Sequence, residues 1–223
     1  MTSSADILKE LEALGSEQTR KTYLRHGITG PQFGVSFASL EKMAKRIKKD
    51  HALALELWAS GNHDARNFAA KIADPLLMDA KTAEAWVKSA GNQVDADNVA
   101  TVVSGSSVAR QKMEKWISSR DEWIGRTGWS VLVHLARSPG QMSDSFFEAY
   151  LDLIARDIHQ RKNWVRAAMN NAMIAIGVRN PNLTKKALAT AKQVGKIEID
   201  HGETACKTPD ATQYIAKTLA RRK

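Results

Sequence analysis

The chain has 223 residues, 43% of them apolar, and a formal net charge of +9, with 33 Lys and Arg against 24 Asp and Glu. Cys206 is the only cysteine, which excludes an intrachain disulfide, and no apolar run approaches the ~18–20 residues of a membrane span. We therefore expect a cytoplasmic protein without a membrane segment, and the basic balance favours nucleic acid as its partner.

Short amphipathic helices follow one another along the sequence, and no stretch alternates apolar and polar residues over the length of a strand. Serine or threonine precedes many of the helical patterns as a candidate N-cap, and glycine often follows them. The candidate N-caps are Ser4, Ser16, Ser36, Ser107, Ser143 and Thr208. The predicted helices lie near residues 4–14, 17–25, 37–49, 51–60, 64–73, 79–90, 95–104, 107–118, 121–137, 143–159, 163–178, 182–194 and 209–221.

From residue 37 onward the predicted helices form antiparallel pairs with a period of about 30–45 residues, which is typical of HEAT-like repeats. Because each pair buries only one face, neighbouring pairs must stack. We predict an all-α, HEAT-like helical-repeat solenoid (an α-α superhelix) that forms a single domain over residues 1–223. Residues 1–30 would supply N-terminal capping helices, and residues 196–223 a C-terminal loop and capping helix. A basic concave surface on such a solenoid is suited to a polyanion.

The predicted helix 121–137 carries its apolar residues on one face and a polar stripe on the other. Arg126 and Arg137 lie on the polar stripe, with Trp123 at its edge. The two arginines are separated by roughly 16 Å along a helix axis. They either contact successive phosphates or belong to a solvated outer face.

The predicted helix 163–178 is apolar almost all round, so we expect neighbours on several sides. Asn163, Arg166 and Asn170 share one stripe, whereas Asn171 falls on the apolar side together with Trp164. A buried asparagine needs hydrogen-bond partners. Asn171 is therefore expected to bind either neighbouring backbone or a ligand.

Asp95 and Asn98 lie one turn apart on the predicted helix 95–104, where Asp95 can also favour the positive helix N-terminus. Among the six tryptophans, the first three, Trp58, Trp86 and Trp116, are predicted to be core residues. The last three, Trp123, Trp129 and Trp164, lie near polar stripes and either pack in the core or stack on bases. The segment 200–206 lacks the paired spacing of a zinc site, so we expect no metal, and a reduced, partly buried Cys206.

Five motifs in fixed order carry a family resemblance. They are Phe33-Gly34-Val35, Leu40-Glu41-Lys42-Met43-Ala44-Lys45, Asp64-Ala65-Arg66-Asn67-Phe68-Ala69-Ala70, Trp123-Ile124-Gly125-Arg126 and Asn163-Trp164-Val165-Arg166-Ala167-Ala168. Their succession over most of residues 30–195 resembles the DNA alkylation repair family of HEAT-like glycosylases, the AlkD family. The resemblance implies a C-shaped solenoid that holds duplex DNA in a basic concavity. It also implies removal of alkylated purines by hydrolysis of the N-glycosidic bond, without a cofactor.

The family's functional residues carry over only in part. Its arginine matches Arg126, its active-site aspartate falls on Asn98, and its two tryptophans fall on Val94 and Asn171. A neutral amide cannot stabilise a cationic sugar as a carboxylate does, and losing one such group costs on the order of 10²–10³ in rate. Asp95 and Trp164 are the nearest replacements. The catalytic candidates are therefore Asp95 and Asn98, and the DNA-binding candidates are Trp123, Arg126, Arg137, Trp164, Arg166 and Asn171.

Three functional hypotheses remain open at this stage. The chain is a monomeric DNA-binding protein that excises alkylated purines, a non-catalytic binder of distorted or branched DNA, or a helical-repeat scaffold for an acidic protein. Contacts to several phosphates require a steep fall of log affinity with log salt. Salt dependence therefore separates the first two hypotheses from the third.

Overall fold

The computed structural model describes residues 3–138 and 142–221, and every regular element within these ranges is helical. The predicted all-α class is therefore confirmed. The thirteen α-helices of the described residues are α1 (Ser4–Leu14), α2 (Glu17–Arg25), α3 (Phe37–Ile47), α4 (His51–Ala59), α5 (His63–Ile72), α6 (Ala80–Ser89), α7 (Gln93–Ser104), α8 (Ala109–Ile117), α9 (Glu122–Arg137), α10 (Asp144–Asp157), α11 (Asn163–Gly177), α12 (Pro181–Val194) and α13 (Ala211–Ala220). Short 3₁₀ turns occur at Pro75–Leu77 and Ile158–Gln160.

The helix starts confirm some of the predicted N-caps and correct others. Ser16, Ser36 and Ser143 cap their helices through the side-chain oxygen. At three other helix starts the structure differs from the prediction: Ser3 caps α1 in place of Ser4, Ser107 lies in a turn before α8, and Asp210 caps α13 in place of Thr208. Ser3 takes the position because Asp6, three residues on, completes a capping box with it.

The described chain divides into two compact units. Of the described residues, unit 1 comprises 3–110 with 201–205, and unit 2 comprises 111–138, 142–200 and 206–221. The single domain over residues 1–223 stays a prediction. None of the described helices combines the length and the hydrophobicity that a membrane span requires.

In unit 1, helix α5 occupies the centre and packs against α3, α4 and α7, while α6 packs against α7. Trp58 and Trp86 are buried, and their rings stack with centroids 4.2 Å apart. This contact confirms the prediction that both tryptophans are core residues. The predicted core position of Trp116, in unit 2, is confirmed as well.

In unit 2, helix α9 packs along α11, and α10 packs along α12. Helices α9 and α11 run parallel, as the contacts at their two ends show. Glu122 at the start of α9 accepts a hydrogen bond from the Trp164 N–H at the start of α11. At the other end, Arg179, just after α11, donates to the Ser138 carbonyl just after α9. Gly128 lets α9 approach α8 closely, because a Cβ there would lie 2.5 Å from the Ile117 nitrogen.

Several cations bind the carbonyl groups at the ends of helices. Lys49 donates to the Ala73 carbonyl after α5, Arg66 to the Ser89 carbonyl that ends α6, and Arg161 to the Ile117 carbonyl that ends α8. Positive charge is stabilising at a helix C-terminus, where carbonyl groups lack intrahelical partners. Part of the net charge of the chain therefore serves the fold.

Candidate nucleic-acid-binding site

The predicted catalytic residue Asp95 lies in the first turn of α7, in the interior of unit 1, and is 1% exposed. Its Oδ2 atom accepts a hydrogen bond from the Arg66 guanidinium at 2.9 Å and a longer one from the Gly91 N–H at 3.3 Å. The carboxylate thus neutralises an arginine of the neighbouring helix α5. It reaches solvent only if this ion pair breaks.

A chain of polar contacts joins Asp95 to the second catalytic candidate, Asn98. The Nδ1 atom of His63 lies 3.6 Å from Asp95 Oδ1, and its Nε2 atom lies 2.9 Å from Asn67 Nδ2. The Asn98 amide in turn donates to Asn67 Oδ1 at 2.6 Å. The structure therefore brings Asp95 and Asn98 into one network, with Asn98 at its partly exposed end.

The electrostatics of this network favour an ionised Asp95. Burial raises the pKa of the Asp95 carboxyl, but His63, Arg66 and the Gly91 N–H together outweigh the burial and hold that pKa below its ordinary value of 3.8. A carboxylate with a lowered pKa stays charged at neutral pH and is a weak general base. This arrangement is typical of a stabilised internal ion pair.

The motif at residues 64–70, which carries part of the family resemblance, is explained by a second buried carboxylate. Asp64 is fully buried and accepts backbone N–H groups from Phe33 at 2.6 Å, Gly34 at 3.0 Å and Val35 at 2.9 Å. Gly34 has φ +82°, and a Cβ there would lie 2.5 Å from the Ser16 carbonyl oxygen. Both motifs therefore form one structural lock between α5 and the segment before α3.

In unit 2 the structure brings Arg126 and Trp164 together. The Arg126 guanidinium donates to the Trp164 carbonyl at 3.2 Å, and its central carbon lies 5.4 Å from the centroid of the Trp164 ring. Arg126 is only 7% exposed. Of the two alternatives for Arg126, the solvated outer face is thus excluded, because α11 packs along this side of α9.

The other DNA-binding candidates differ in their exposure. Arg137 is exposed at the end of α9, Asn171 is exposed on α11, and Trp123 is partly exposed at the start of α9. Arg166 is partly buried, with Nη2 3.5 Å from Asn163 Oδ1. We call Trp123, Arg126, Arg137, Trp164 and Asn171 the α9–α11 stripe.

The buried asparagine of α11 is Asn170 and not Asn171, which corrects the sequence-based expectation. Asn170 is 1% exposed and donates to the Pro209 carbonyl at 2.9 Å. The segment before α13 supplies this carbonyl, and the helical pattern of α11 contains no signal for it. Asn171 consequently keeps its amide at the surface.

The loop around residues 200–206 shows no metal site. Within residues 3–138 and 142–221, no group of three or more His, Cys, Asp or Glu side chains could hold a metal ion. Cys206 is exposed and not partly buried as predicted, because it lies in the irregular segment between α12 and α13.

The layered helices of both units define an all-α, HEAT-like helical-repeat protein, and its polar site residues lie on neighbouring helices of the repeats. A model of the family described as DNA alkylation repair enzyme matches residues 7–215. The chain therefore belongs to the DNA alkylation repair family, as the resemblance of its motifs indicates.

Two bacterial relatives and one solved structure illustrate the similarity. The uncharacterized protein Lin0241 of Listeria innocua is 30% identical over 220 residues and covers 95% of each chain. The uncharacterized protein Lmo0209 of Listeria monocytogenes is 29% identical over 222 residues, with 96% of each chain covered. A solved structure with a TM-score of 0.90 and 34% identity covers 99% of this chain and 95% of its own. It represents a family related to the HEAT-like repeat DNA glycosylases with affinity for branched DNA structures.

Sequence reasoning did not identify His63, Arg66 and Asn67 as partners of the catalytic candidates. The signal lay in the motif at residues 64–70 and in the spacing of His63 and Asn67, which is one helical turn. The sequence does not show, however, that α7 packs beside α5, and this contact is what brings the two sets of residues together.

Proposed function

We propose that the chain binds distorted or branched duplex DNA and does not hydrolyse the N-glycosidic bond. One observation supports the absence of hydrolysis most directly. Asn98, at the position to which the family resemblance assigns the catalytic acid, is a neutral amide that donates to Asn67, while the nearest carboxylate, Asp95, is buried against Arg66. Neither side chain offers a free negative charge to a sugar cation.

The energetic cost of separating Asp95 from Arg66 also argues against a catalytic role for Asp95. Separating the partners of a buried ion pair typically costs about 3–5 kcal/mol. A glycosylase that used Asp95 would meet this cost before any stabilisation of the transition state began. The Asp95 ion pair is therefore better suited to holding α5 and α7 together than to catalysis.

Binding of DNA is supported by family membership, by the net charge of +9 and by the branched-DNA affinity of the similar solved structure. We infer that the α9–α11 stripe contacts the DNA. Arg137 offers an exposed guanidinium to a phosphate, and the partly exposed rings of Trp123 and Trp164 offer flat apolar surfaces to unstacked bases. We take the active form to be a cytoplasmic monomer.

The wild-type chain is expected to bind a four-way junction more tightly than a linear duplex with the same arm sequence. Log affinity should fall linearly with log salt, with a slope of about −0.9 for each phosphate contacted. Equal affinity for both DNAs would contradict the preference for branches. Binding without salt dependence would favour the scaffold for an acidic protein.

Arg137→Ala is expected to weaken junction binding several-fold and to make the salt slope shallower by about 1, because one phosphate contact is lost.

Arg126→Ala is expected to weaken binding too, since the Arg126 guanidinium positions Trp164. Fluorescence anisotropy with a labelled junction measures both effects. Arg156→Ala is the matched control, because Arg156 is exposed on α10 and pairs with Asp157. Unchanged affinity of the Arg126 and Arg137 variants at low salt would remove the stripe from the interface.

A second candidate function is alkylpurine excision, which the family description as a repair enzyme favours. In that case Asp95 is the acid that acts on the sugar, and Asn98 positions the water or the nucleotide. Asp95→Asn would then abolish the release of base without reducing the affinity for DNA. Release that persists in this variant would exclude Asp95 from the mechanism.

A further inference from the structure

The end of α3 and the residues just after it carry a dense group of cations in unit 1. Residues 42–49 contain five Lys and Arg and no acidic residue. Within this segment Met43 is buried and Ile47 is partly buried, whereas the five cations are exposed. The cations therefore cover the solvent side of the segment.

Two of the five cations already have partners in the fold. Arg46 binds Glu10 at 2.6 Å, and Lys49 donates to the Ala73 carbonyl. Lys42, Lys45 and Lys48 make no ion pair with a carboxylate in the part of the chain that the structure describes. The neighbouring Glu41 carboxylate binds Lys71 at 2.9 Å. Three ammonium groups thus remain available to an external anion, and we call Lys42, Lys45 and Lys48 the α3 lysine cluster.

The backbone at Lys48 gives a second, independent observation. Lys48 has φ +65° and ψ −152°, and it is the one non-glycine residue with positive φ among the described residues. Gly195 ends α12 with nearly the same angles, φ +67° and ψ −145°. This region of backbone space is essentially restricted to glycine, and strained residues of this kind concentrate at functional sites. A lysine therefore stands where glycine would fit the fold better.

We propose that the α3 lysine cluster is a second phosphate-binding surface, located on unit 1, which holds a further arm of a branched DNA. This inference rests on the proposed DNA-binding function and extends it. A four-way junction has several duplex arms, so one arm can bind the α9–α11 stripe while another supplies phosphates to the α3 lysine cluster. The second surface would therefore account for a preference for branched DNA.

The chemistry of the segment favours a phosphate backbone over a lipid surface. A helix that binds a membrane presents large apolar side chains beside its cations. The only large apolar residues of segment 42–49 are Met43 and Ile47, which face the interior. Lysines without apolar neighbours are typical of contacts to phosphates that carry no sequence information.

The test compares two triple variants in binding to a four-way junction and to a linear duplex. The first is Lys42→Gln/Lys45→Gln/Lys48→Gly. The control is Lys81→Gln/Lys192→Gln/Lys217→Gln, which removes the same charge from three exposed lysines elsewhere. The first variant is expected to lose about tenfold in junction affinity and to reduce the salt slope by about 2.7, the value for three phosphates. Its affinity for the linear duplex, and both affinities of the control, should stay within about twofold of wild type.

Lys48→Gly alone separates a binding role from a structural one. Because glycine relieves the backbone strain, Tm should not fall, while junction affinity should decrease. An unchanged junction affinity of the triple variant, or an equal loss in the control, would overturn the proposal. So would a loss of binding to anionic phosphatidylserine vesicles with junction binding intact. A wild-type chain that binds no DNA would instead refute the proposed function itself.

Discussion

Asp64→Ala is expected to lower the free energy of unfolding by about 3–5 kcal/mol, because two buried N–H groups and one partly buried N–H group lose their acceptor. The Asp64 carboxylate is fully buried and binds the successive N–H groups of Phe33, Gly34 and Val35 at 2.6–3.0 Å. Urea unfolding followed by circular dichroism measures the loss.

Asp79→Ala is the matched control for this prediction. Asp79 also accepts a backbone N–H, that of Thr82 at 2.7 Å, but it is exposed at the start of α6. Loss of an exposed N-cap typically costs about 1 kcal/mol. If Asp64→Ala costs no more than Asp79→Ala, the lock between the two motifs does not have the role assigned to it.

Arg66→Met is expected to lower the free energy of unfolding by a similar amount, about 3–5 kcal/mol, because it leaves the Asp95 carboxylate buried without its cation. The double variant Arg66→Met/Asp95→Asn removes both charges and should recover a large part of this loss. A double-mutant cycle in urea measures the coupling. Arg46→Met is the control, since its ion pair with Glu10 is largely exposed and should contribute less than about 1 kcal/mol.

Additive losses in the cycle would show that Arg66 and Asp95 do not stabilise each other.

The pH dependence of the free energy of unfolding tests the same ion pair, and its direction can be stated in advance. The folded-state pKa of Asp95 lies below its ordinary value of 3.8, so its stabilisation is complete above that value and is lost as the pH falls through the folded-state pKa. Asp95→Asn should therefore lose less stability than wild type as the pH falls below the ordinary value of 3.8.

The helices could be predicted from the sequence because their signals are local. The apolar positions recur with the helical period, and side chains such as Ser16 and Ser143 cap the adjoining turn. Trp58 and Trp86 could be assigned to the core because they lie among aliphatic residues on the apolar faces of their helices. These features need no information about distant parts of the chain.

The partners of the site residues could not be predicted, because they lie far away in sequence. Arg126 is buried by Trp164, 38 positions later, and Asn170 binds the Pro209 carbonyl, 39 positions later. The periodicity of one helix says which residues share a face, but not which neighbouring helix covers that face. The same limit applies to Asp95, whose partner Arg66 lies on another helix.

The network around Asp95 also changes the meaning of the motifs that indicated the family. Asp64 and Arg66 belong to the family motif, yet their contacts in this chain hold helices and loops together. A motif of this kind identifies the fold of the family with more certainty than its reaction. We propose that the reaction depends on an acid, whose position the family resemblance assigns to Asn98.

Release of free alkylated base from a methylated four-way junction tests the central claim most directly. The protein is incubated in excess over the junction at low salt, binding is verified by gel shift, and free 3-methyladenine and 7-methylguanine are then quantified by chromatography. We predict that the junction is bound and that no base is released above the protein-free control. Release that increases with protein concentration and with time would contradict the account.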